Sequence, residues 1–232
     1  TSSSPSSISH LLSSNSSNTT LKREFPVHAV KRILARTKYL NRISYEEATA
    51  LTRLAQSKSG QEAYDLLSRA NRKFQECLEI KPDDSRALLN WAFALTKQAE
   101  IAKDVQKNSS IAITHWRDAF SKYERALVLR PTDWRALNAW ATALSSQAAR
   151  VTVAKEGISL YRAAIDKFDR ALKLLPLPHF HTLYNTGNAR LKLARLLLDD
   201  LRSSRTVKNE KSVATHRECS DLLSVGISRF QE

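Results

Sequence analysis

The chain has 232 residues, enough for one large domain or two small ones, and it contains only 4 glycines and 6 prolines. So few glycines exclude the many tight turns of a β-barrel or β-sandwich and the glycine-rich loops that hold phosphates, and the composition favours an all-α fold. The 37 Lys and Arg residues exceed the 23 Asp and Glu residues, for a net charge of +14. Such an excess favours an acidic partner: nucleic acid, an anionic membrane surface or an acidic peptide segment.

The first twenty residues differ sharply in composition from the rest of the chain. They contain ten Ser, three Thr and two Asn, and no Lys, Arg, Asp or Glu. Such a stretch buries too little apolar surface to offset its ordering entropy, so residues 1–24 are expected to form a disordered Ser/Asn-rich linker or tail. The end of an organellar transit peptide is the alternative, against which the lack of Arg counts. Because the chain starts at Thr1 and has no Met, we expect a processed product or a segment of a longer protein.

Residues 25–58 are expected to form an N-terminal basic helix, over about 26–42, and a capping helix, over about 44–57. The apolar residues of the first helix share one face: Val30, Ile33, Leu34, Thr37 and Leu40. Its cations surround that face: Lys31, Arg32, Arg36, Lys38 and Arg42. We expect the apolar face to dock on the first hairpin, with the charges in water. The alternative is contact with an anionic partner, either a membrane surface or an acidic groove.

A residue pattern recurs before three prolines, Pro82, Pro131 and Pro176, which lie 49 and 45 positions apart. An aromatic residue stands eight positions before each Pro, small residues stand five and twelve before, and larger apolar residues stand two, four and fifteen before. The aromatic residues are Phe74, Tyr123 and Phe168. These offsets place the side chains on one stripe of a helix that the Pro then ends. The pattern predicts three equivalent helices.

A second helix is predicted after each proline. Asp84 or Ser85 provides an N-cap after Pro82, and Thr132 or Asp133 provides one after Pro131. Apolar residues then recur with helical spacing: Leu88, Trp91, Ala92 and Leu95 in one copy, and Leu137, Trp140, Ala141 and Leu144 in the next. After the third Pro, residues 183–189 follow in a similar arrangement.

Together these residues resemble the tetratricopeptide repeat (TPR) family over about residues 60–201. The resemblance implies an all-α solenoid of helical hairpins over residues 59–232, closed by a C-terminal capping helix at about 208–230. The family repeat is about 34 residues long, so the spacings of 49 and 45 predict helices extended by one or two turns. The extensions would place the hairpin tips near residues 107–110 and 154–157.

The resemblance also implies a concave groove that binds peptides. Its groove positions correspond here to Arg86, Leu89 and Phe93, then Arg135, Asn138 and Thr142, and last His181, Tyr184 and Asn188. Arg86 and Arg135 are suited to carboxylates, and Asn138 and Asn188 to an extended peptide backbone. A solvated groove without a ligand is the alternative.

Residues that could carry catalysis or bind metal have simpler explanations. His179 and His181 form a His-x-His motif, with His216 elsewhere, but no Cys, Asp or Glu clusters with them, which favours polar residues at a helix start. Cys77 stands at a core position, and Cys219 has no sign of activation. Because the common nucleophile, phosphate-loop and zinc motifs are also lacking, we expect no enzymatic activity, cofactor or metal site.

The sequence therefore predicts a noncatalytic protein-interaction scaffold or adaptor whose groove binds a peptide or protein segment, most simply an acidic one. The alternative is a nucleic-acid-associated, organellar RNA-related helical repeat protein that uses its basic ends to contact phosphate. Other domains of a longer parent chain are further expected partners, and a small-molecule substrate is not. With two cysteines and no disulfide framework, an intracellular, cytoplasmic location is expected, with mitochondrial or plastid association as the alternative.

Overall fold

The protein is all-α in a computed structural model that describes residues 27–175, 179–203, 214, 215, 217–222 and 224. Within these residues lie seven helices: α1 (Val27–Gln56), α2 (Gly60–Ile80), α3 (Ser85–Asp104), α4 (Ser109–Leu129), α5 (Trp134–Ala148), α6 (Ala154–Leu174) and α7 (Phe180–Ser203). The described residues between 214 and 224 are also helical, where the closing helix is expected. The expected tail at 1–24, Pro176 and the remainder of the closing helix lie outside the described residues.

The helices pack mainly against their neighbours in the chain. Helices α1 and α2, α3 and α4, and α5 and α6 form the three most closely packed pairs, and each pair is a hairpin with a short connection. In addition, α1 contacts α3, α3 contacts α5, and α5 contacts α7. The odd-numbered helices therefore lie in a row, and we call the side of the molecule that they form the odd-helix face.

The predicted aromatic stripe forms the core. Phe74, Tyr123 and Phe168 are 0%, 1% and 0% exposed, so three positions that correspond in sequence occupy equivalent buried environments. Each ring packs against small residues of the odd-numbered helices on both sides: Ala48 and Ala94 around Phe74, Ala92 and Ala143 around Tyr123, and Ala141 and Ala189 around Phe168. Because alanine lets the helices approach closely, one ring fills the space between three helices.

Two equivalent aspartates begin the helices that follow the prolines. Asp84 Oδ1 accepts hydrogen bonds from the amides of Arg86 (3.1 Å) and Ala87 (3.2 Å) at the start of α3. Asp133 Oδ1 accepts them from Arg135 (3.0 Å) and Ala136 (3.4 Å) at the start of α5. Of the cap residues that the sequence left open, the aspartate is used in both places, which satisfies otherwise free amides of the first turn.

The basic helix and the capping helix expected within residues 25–58 are a single helix, α1, of 30 residues. No Gly or Pro interrupts the chain near residue 43, and Ser44 does not start a new helix. Its hydroxyl instead donates a hydrogen bond to Glu76 Oε2 on α2, at 3.1 Å. The continuous hydrogen-bonded backbone therefore carries the amphipathic segment directly into the first hairpin.

The hairpin tips lie earlier in the chain than expected. The first tip spans residues 105–108 and the second 149–153, whereas residues 154–157 already belong to the first turn of α6. Helix α5 ends after 15 residues, where the Arg150 amide donates to the Gln147 carbonyl at 2.8 Å and closes a turn. The Arg150 guanidinium donates to the Ser146 carbonyl (3.0 Å) and pairs with Asp104 of α3 (2.7 Å). The β-branched run 151–153 then leaves the helical conformation.

Candidate peptide-binding face

Two pockets open between helices of the odd-helix face. The α1–α3 pocket has a volume of about 490 Å³ and is lined by residues that include Tyr45, Thr49, Arg53, Asn90 and Phe93. The α5–α7 pocket has a volume of about 240 Å³ and is lined by residues that include Thr142, Ser145, Asn185, Asn188 and Lys192. The buried rings Phe74 and Phe168 border the two pockets, so both lie at equivalent places between successive hairpins.

Aromatic and cationic side chains dominate the α1–α3 pocket. The Arg86 guanidinium lies 5.8 Å from the centre of the Tyr45 ring, and Asn90 Nδ2 donates a hydrogen bond to the Tyr45 hydroxyl at 2.9 Å. Phe93 lies at the pocket wall, with the Lys97 ammonium 5.7 Å from its ring centre. Of the three groove residues expected on α3, Arg86 and Phe93 therefore belong to this pocket region.

The third residue, Leu89, is half-buried and packs against the core cluster around Tyr123. It contributes to the contact between α3 and α5 rather than to a free surface. Leu89 and Phe93 could not be distinguished by the residue pattern, because both fall on the same helical face. They differ only in which side chains of the neighbouring hairpins pack against them.

Polar groups converge at the α5–α7 pocket. Thr142 and Asn188 both line it, as expected, and the Thr142 hydroxyl donates to the Asn138 carbonyl at 2.9 Å. The side-chain oxygens of Asn138 and Ser145 are buried and have no hydrogen-bond partner within the described part of the chain. Buried polar atoms are usually paired. Ser145 lines the pocket and Asn138 does not, so the Ser145 oxygen marks the place where a bound group could pair.

A continuous row of aromatic rings lies where α5 and α7 begin. Successive ring centres along Trp134, His179, His181, Phe180 and Tyr184 lie between 5.1 and 6.2 Å apart. Phe180 and Tyr184 are 69% and 50% exposed, and Arg135 stacks on Trp134 at 5.1 Å. The expected groove residues His181, Tyr184 and Arg135 belong to this row. The pattern missed Trp134, His179 and Phe180, although their aromatic character close to two helix starts was a usable signal.

The charges of the odd-helix face are unevenly paired. Its acidic groups have partners: Glu46 pairs with Arg42, Glu100 with Lys97, and Asp104 with Arg150. Several of its cations have no ion pair among the described residues, including Arg53, Arg86, Arg135 and Lys192. The face therefore presents unneutralised positive charge beside its pockets, which favours an anionic ligand.

The expected docking of the basic segment on the first hairpin is wrong. Asn41 Nδ2 donates to the Cys77 carbonyl at 2.8 Å, which aligns Asn41 with the end of α2. Residues 27–40 extend beyond that end, and we call them the α1 overhang. Its cations Lys31, Arg32, Arg36 and Lys38 are exposed, as is Arg42 next to it, and so are its apolar residues: Val30 39%, Ile33 47%, Leu34 59% and Leu40 46%. Helix α2 is too short to cover them.

Cys77, Cys219 and His179 make structural contacts, and His216 lies outside the described residues. Burial raises the pKa of Cys77 to about 11, and Cys77 packs in the core with Leu78 and Leu88. Cys219 is buried and its thiol lies 3.7 Å from the Ala194 carbonyl. His179 Nδ1 accepts from the Thr182 amide at 3.3 Å and so caps the start of α7. In the described ranges, no three His, Cys, Asp or Glu side chains are grouped as metal ligands would be.

None of the described helices has both the length and the apolar character that crossing a membrane requires. The structure thus defines a class, an all-α protein built from helical hairpins with an open polar and aromatic face. Comparison with models of known families finds no match for the chain, and comparison with curated proteins finds none either. The likeness to TPR proteins therefore stays a prediction from the residue pattern.

Proposed function

We propose that this protein is a noncatalytic, TPR-like scaffold that binds an extended acidic peptide segment along the odd-helix face. The observation that carries the proposal is the coincidence of two pockets with cations that have no ion pair on one face, among them Arg53, Arg86, Arg135 and Lys192. A peptide that lies across the face would meet cations for its carboxylates and pockets for its larger side chains.

The backbone of such a peptide also has a candidate partner. The unpaired side-chain oxygen of Ser145, which lines the α5–α7 pocket, is suited to accept a hydrogen bond from a peptide N–H group. The exposed rings of Phe180 and Tyr184 would give apolar contact area at little entropic cost, because an aromatic side chain has only two rotatable bonds. The free, buried thiols of Cys77 and Cys219 suit a reducing, cytoplasmic compartment.

The proposal is tested by charge reversal on the face. Binding of a fluorescent Glu-rich dodecamer is measured by anisotropy for the wild type and for Arg86→Glu/Arg135→Glu. We expect the variant to lose about tenfold or more in affinity, because two attractive contacts become repulsive. The matched control Arg72→Glu/Arg117→Glu makes the same charge change at exposed sites on α2 and α4 and should lose less than about threefold. Equal losses in the two variants, or none, would refute the assigned face.

A single-stranded nucleic acid is the second candidate ligand, and the aromatic row favours it specifically. Bases stack on exposed rings such as Phe180 and Tyr184, and Arg135 lies beside them. Under this alternative, a random single-stranded RNA would bind more tightly than the acidic peptide. Its affinity would fall steeply with salt and would drop in Phe180→Ala/Tyr184→Ala. That result would replace the peptide proposal.

A further inference from the structure

We propose that the α1 overhang is a membrane-docking helix that lies flat on an anionic lipid surface. The inference rests on an exposed apolar stripe bordered by cations on a helix that projects beyond its partner. It does not depend on the peptide-binding proposal, because the overhang contributes to neither pocket.

The apolar stripe of the overhang is the continuation of a core stripe. Further along α1, Ala48, Leu51, Thr52 and Ala55 are buried against α2 and α3. Counting back along the same helical face leads to Leu34 and Val30 in the overhang, which are exposed. The overhang therefore has a face of core character with no helix packed on it in the described part of the chain.

The cations are arranged around this stripe in the way that suits a lipid surface. On an α-helix, Lys31 and Lys38 fall on one border of the stripe and Arg36 on the other, each about a quarter of a turn from its middle. Their long aliphatic stems can follow the apolar side chains toward the membrane while the charged ends reach the headgroups. The overhang has no Asp or Glu, so no internal partner neutralises these charges.

Charge complementarity favours a lipid surface over two other candidate occupants of the apolar stripe, a second copy of the overhang and the segment that precedes it. A second copy packed on the stripe would bring the three bordering cations Lys31, Arg36 and Lys38 close to the same three cations of its partner. The 26 residues that precede the overhang hold Lys22 and Arg23 against Glu24 alone, so they are net positive too. An anionic bilayer offers both the negative charge and the apolar layer that the overhang lacks.

The proposal is tested by vesicle flotation with the full chain. Vesicles of phosphatidylcholine alone are compared with vesicles that also contain phosphatidylserine, at low and high salt. We expect binding only to the anionic vesicles, weakened by salt. Leu34→Glu should reduce the bound-to-free ratio by about tenfold or more, because it places a charge in the apolar stripe. The matched control Val128→Glu, at a position 73% exposed on α4, should bind as the wild type does.

Charge variants distinguish the effect of the overhang cations from the effect of the protein's net charge. The variant Lys31→Ala/Arg36→Ala should bind the anionic vesicles about tenfold more weakly than the wild type. The variant Arg117→Ala/Lys155→Ala removes the same number of charges from exposed sites on α4 and α6 and should lose little binding. Equal loss in both, equal binding to neutral vesicles, or unchanged binding by Leu34→Glu would each overturn the proposal. The proposal would also be overturned if the protein bound no vesicles but bound a poly-glutamate peptide tightly, and Leu34→Glu abolished that binding. This result would assign the overhang to an acidic protein groove instead.

The double variant Arg86→Glu/Arg135→Glu should float as the wild type does, so failure of the membrane proposal is distinguishable from failure of the peptide proposal.

Discussion

The ammonium group of Lys167 lies 4.1 Å from the centre of the Trp140 ring. Lys122 stands in the same relation to Trp91, at 4.6 Å. In both hairpins the Lys lies on the even-numbered helix, nine positions before the proline that follows that helix. The Trp lies on the odd-numbered helix, nine positions after the proline that precedes that helix. The cation–π contact therefore joins the two helices of each hairpin at an equivalent point.

The Lys167–Trp140 contact is expected to contribute measurable coupling energy. A double-mutant cycle with Lys167→Ala and Trp140→Leu, followed by urea unfolding, should give about 0.5–1 kcal/mol. Burial lowers the pKa of Lys167, so its ammonium is partly desolvated, which strengthens attraction to the ring. A coupling within error of zero would show that the two side chains only pack against each other.

The buried rings Phe74 and Phe168 are expected to be equally important for stability. Phe74→Ala and Phe168→Ala should each lower the free energy of unfolding by about 3–5 kcal/mol, because each leaves a cavity between three helices. The control Phe180→Ala removes the same kind of ring from an exposed site and should change the free energy of unfolding by less than about 0.5 kcal/mol. A small loss at only one buried position would contradict the equivalence of the hairpins.

Asp84 is expected to stabilise α3 in a pH-dependent way. Burial by itself would raise the pKa of Asp84, but hydrogen bonds from the Ala87 and Arg86 amides and from Lys81 outweigh it and hold the pKa below the ordinary value of 3.8. The charged form is thus favoured in the folded state. Its stabilisation is complete above the ordinary pKa and is lost as the pH falls through the lower, folded-state value.

Two substitutions separate the cap from its charge. Asp84→Ala should cost about 1 kcal/mol at about pH 7, whereas Asp84→Asn, which can still cap the helix, should cost less. At about pH 3 and below, the difference between wild type and Asp84→Asn should shrink. Urea unfolding at several pH values measures this, and a difference that grows with acidity would contradict the sign of the pKa shift.

The Cys77 thiol is expected to be unreactive in the folded protein. Its pKa of about 11 and its burial leave little accessible thiolate near neutral pH. In a Cys219→Ser background, a thiol reagent at about pH 8 should label Cys77 about 100-fold more slowly in buffer than in denaturing urea. Equal rates would show that the end of α2 opens readily.

Some site residues could be placed from the sequence and others could not. Thr142 and Asn188, which the resemblance to the TPR family placed in the groove, line one pocket. Leu89 was assigned to the groove but is half-buried against the core cluster around Tyr123, and Trp134 was not assigned to the groove but lies in the aromatic row. In each case the deciding fact is which neighbouring helix lies against the side chain, and a local pattern does not contain it.

The amino-acid pattern was sufficient to predict the helical class, the places where α2 and α4 end and the aromatic positions of the core. These depend on helical periodicity and on the geometry of proline, which act within a few residues of the chain. The packing of the helices was needed to show that the apolar stripe of α1 is buried from Ala48 to Ala55 and exposed from Val30 to Leu40. The stripe looks alike in both halves, and its burial is settled by the point where the neighbouring helix α2 ends.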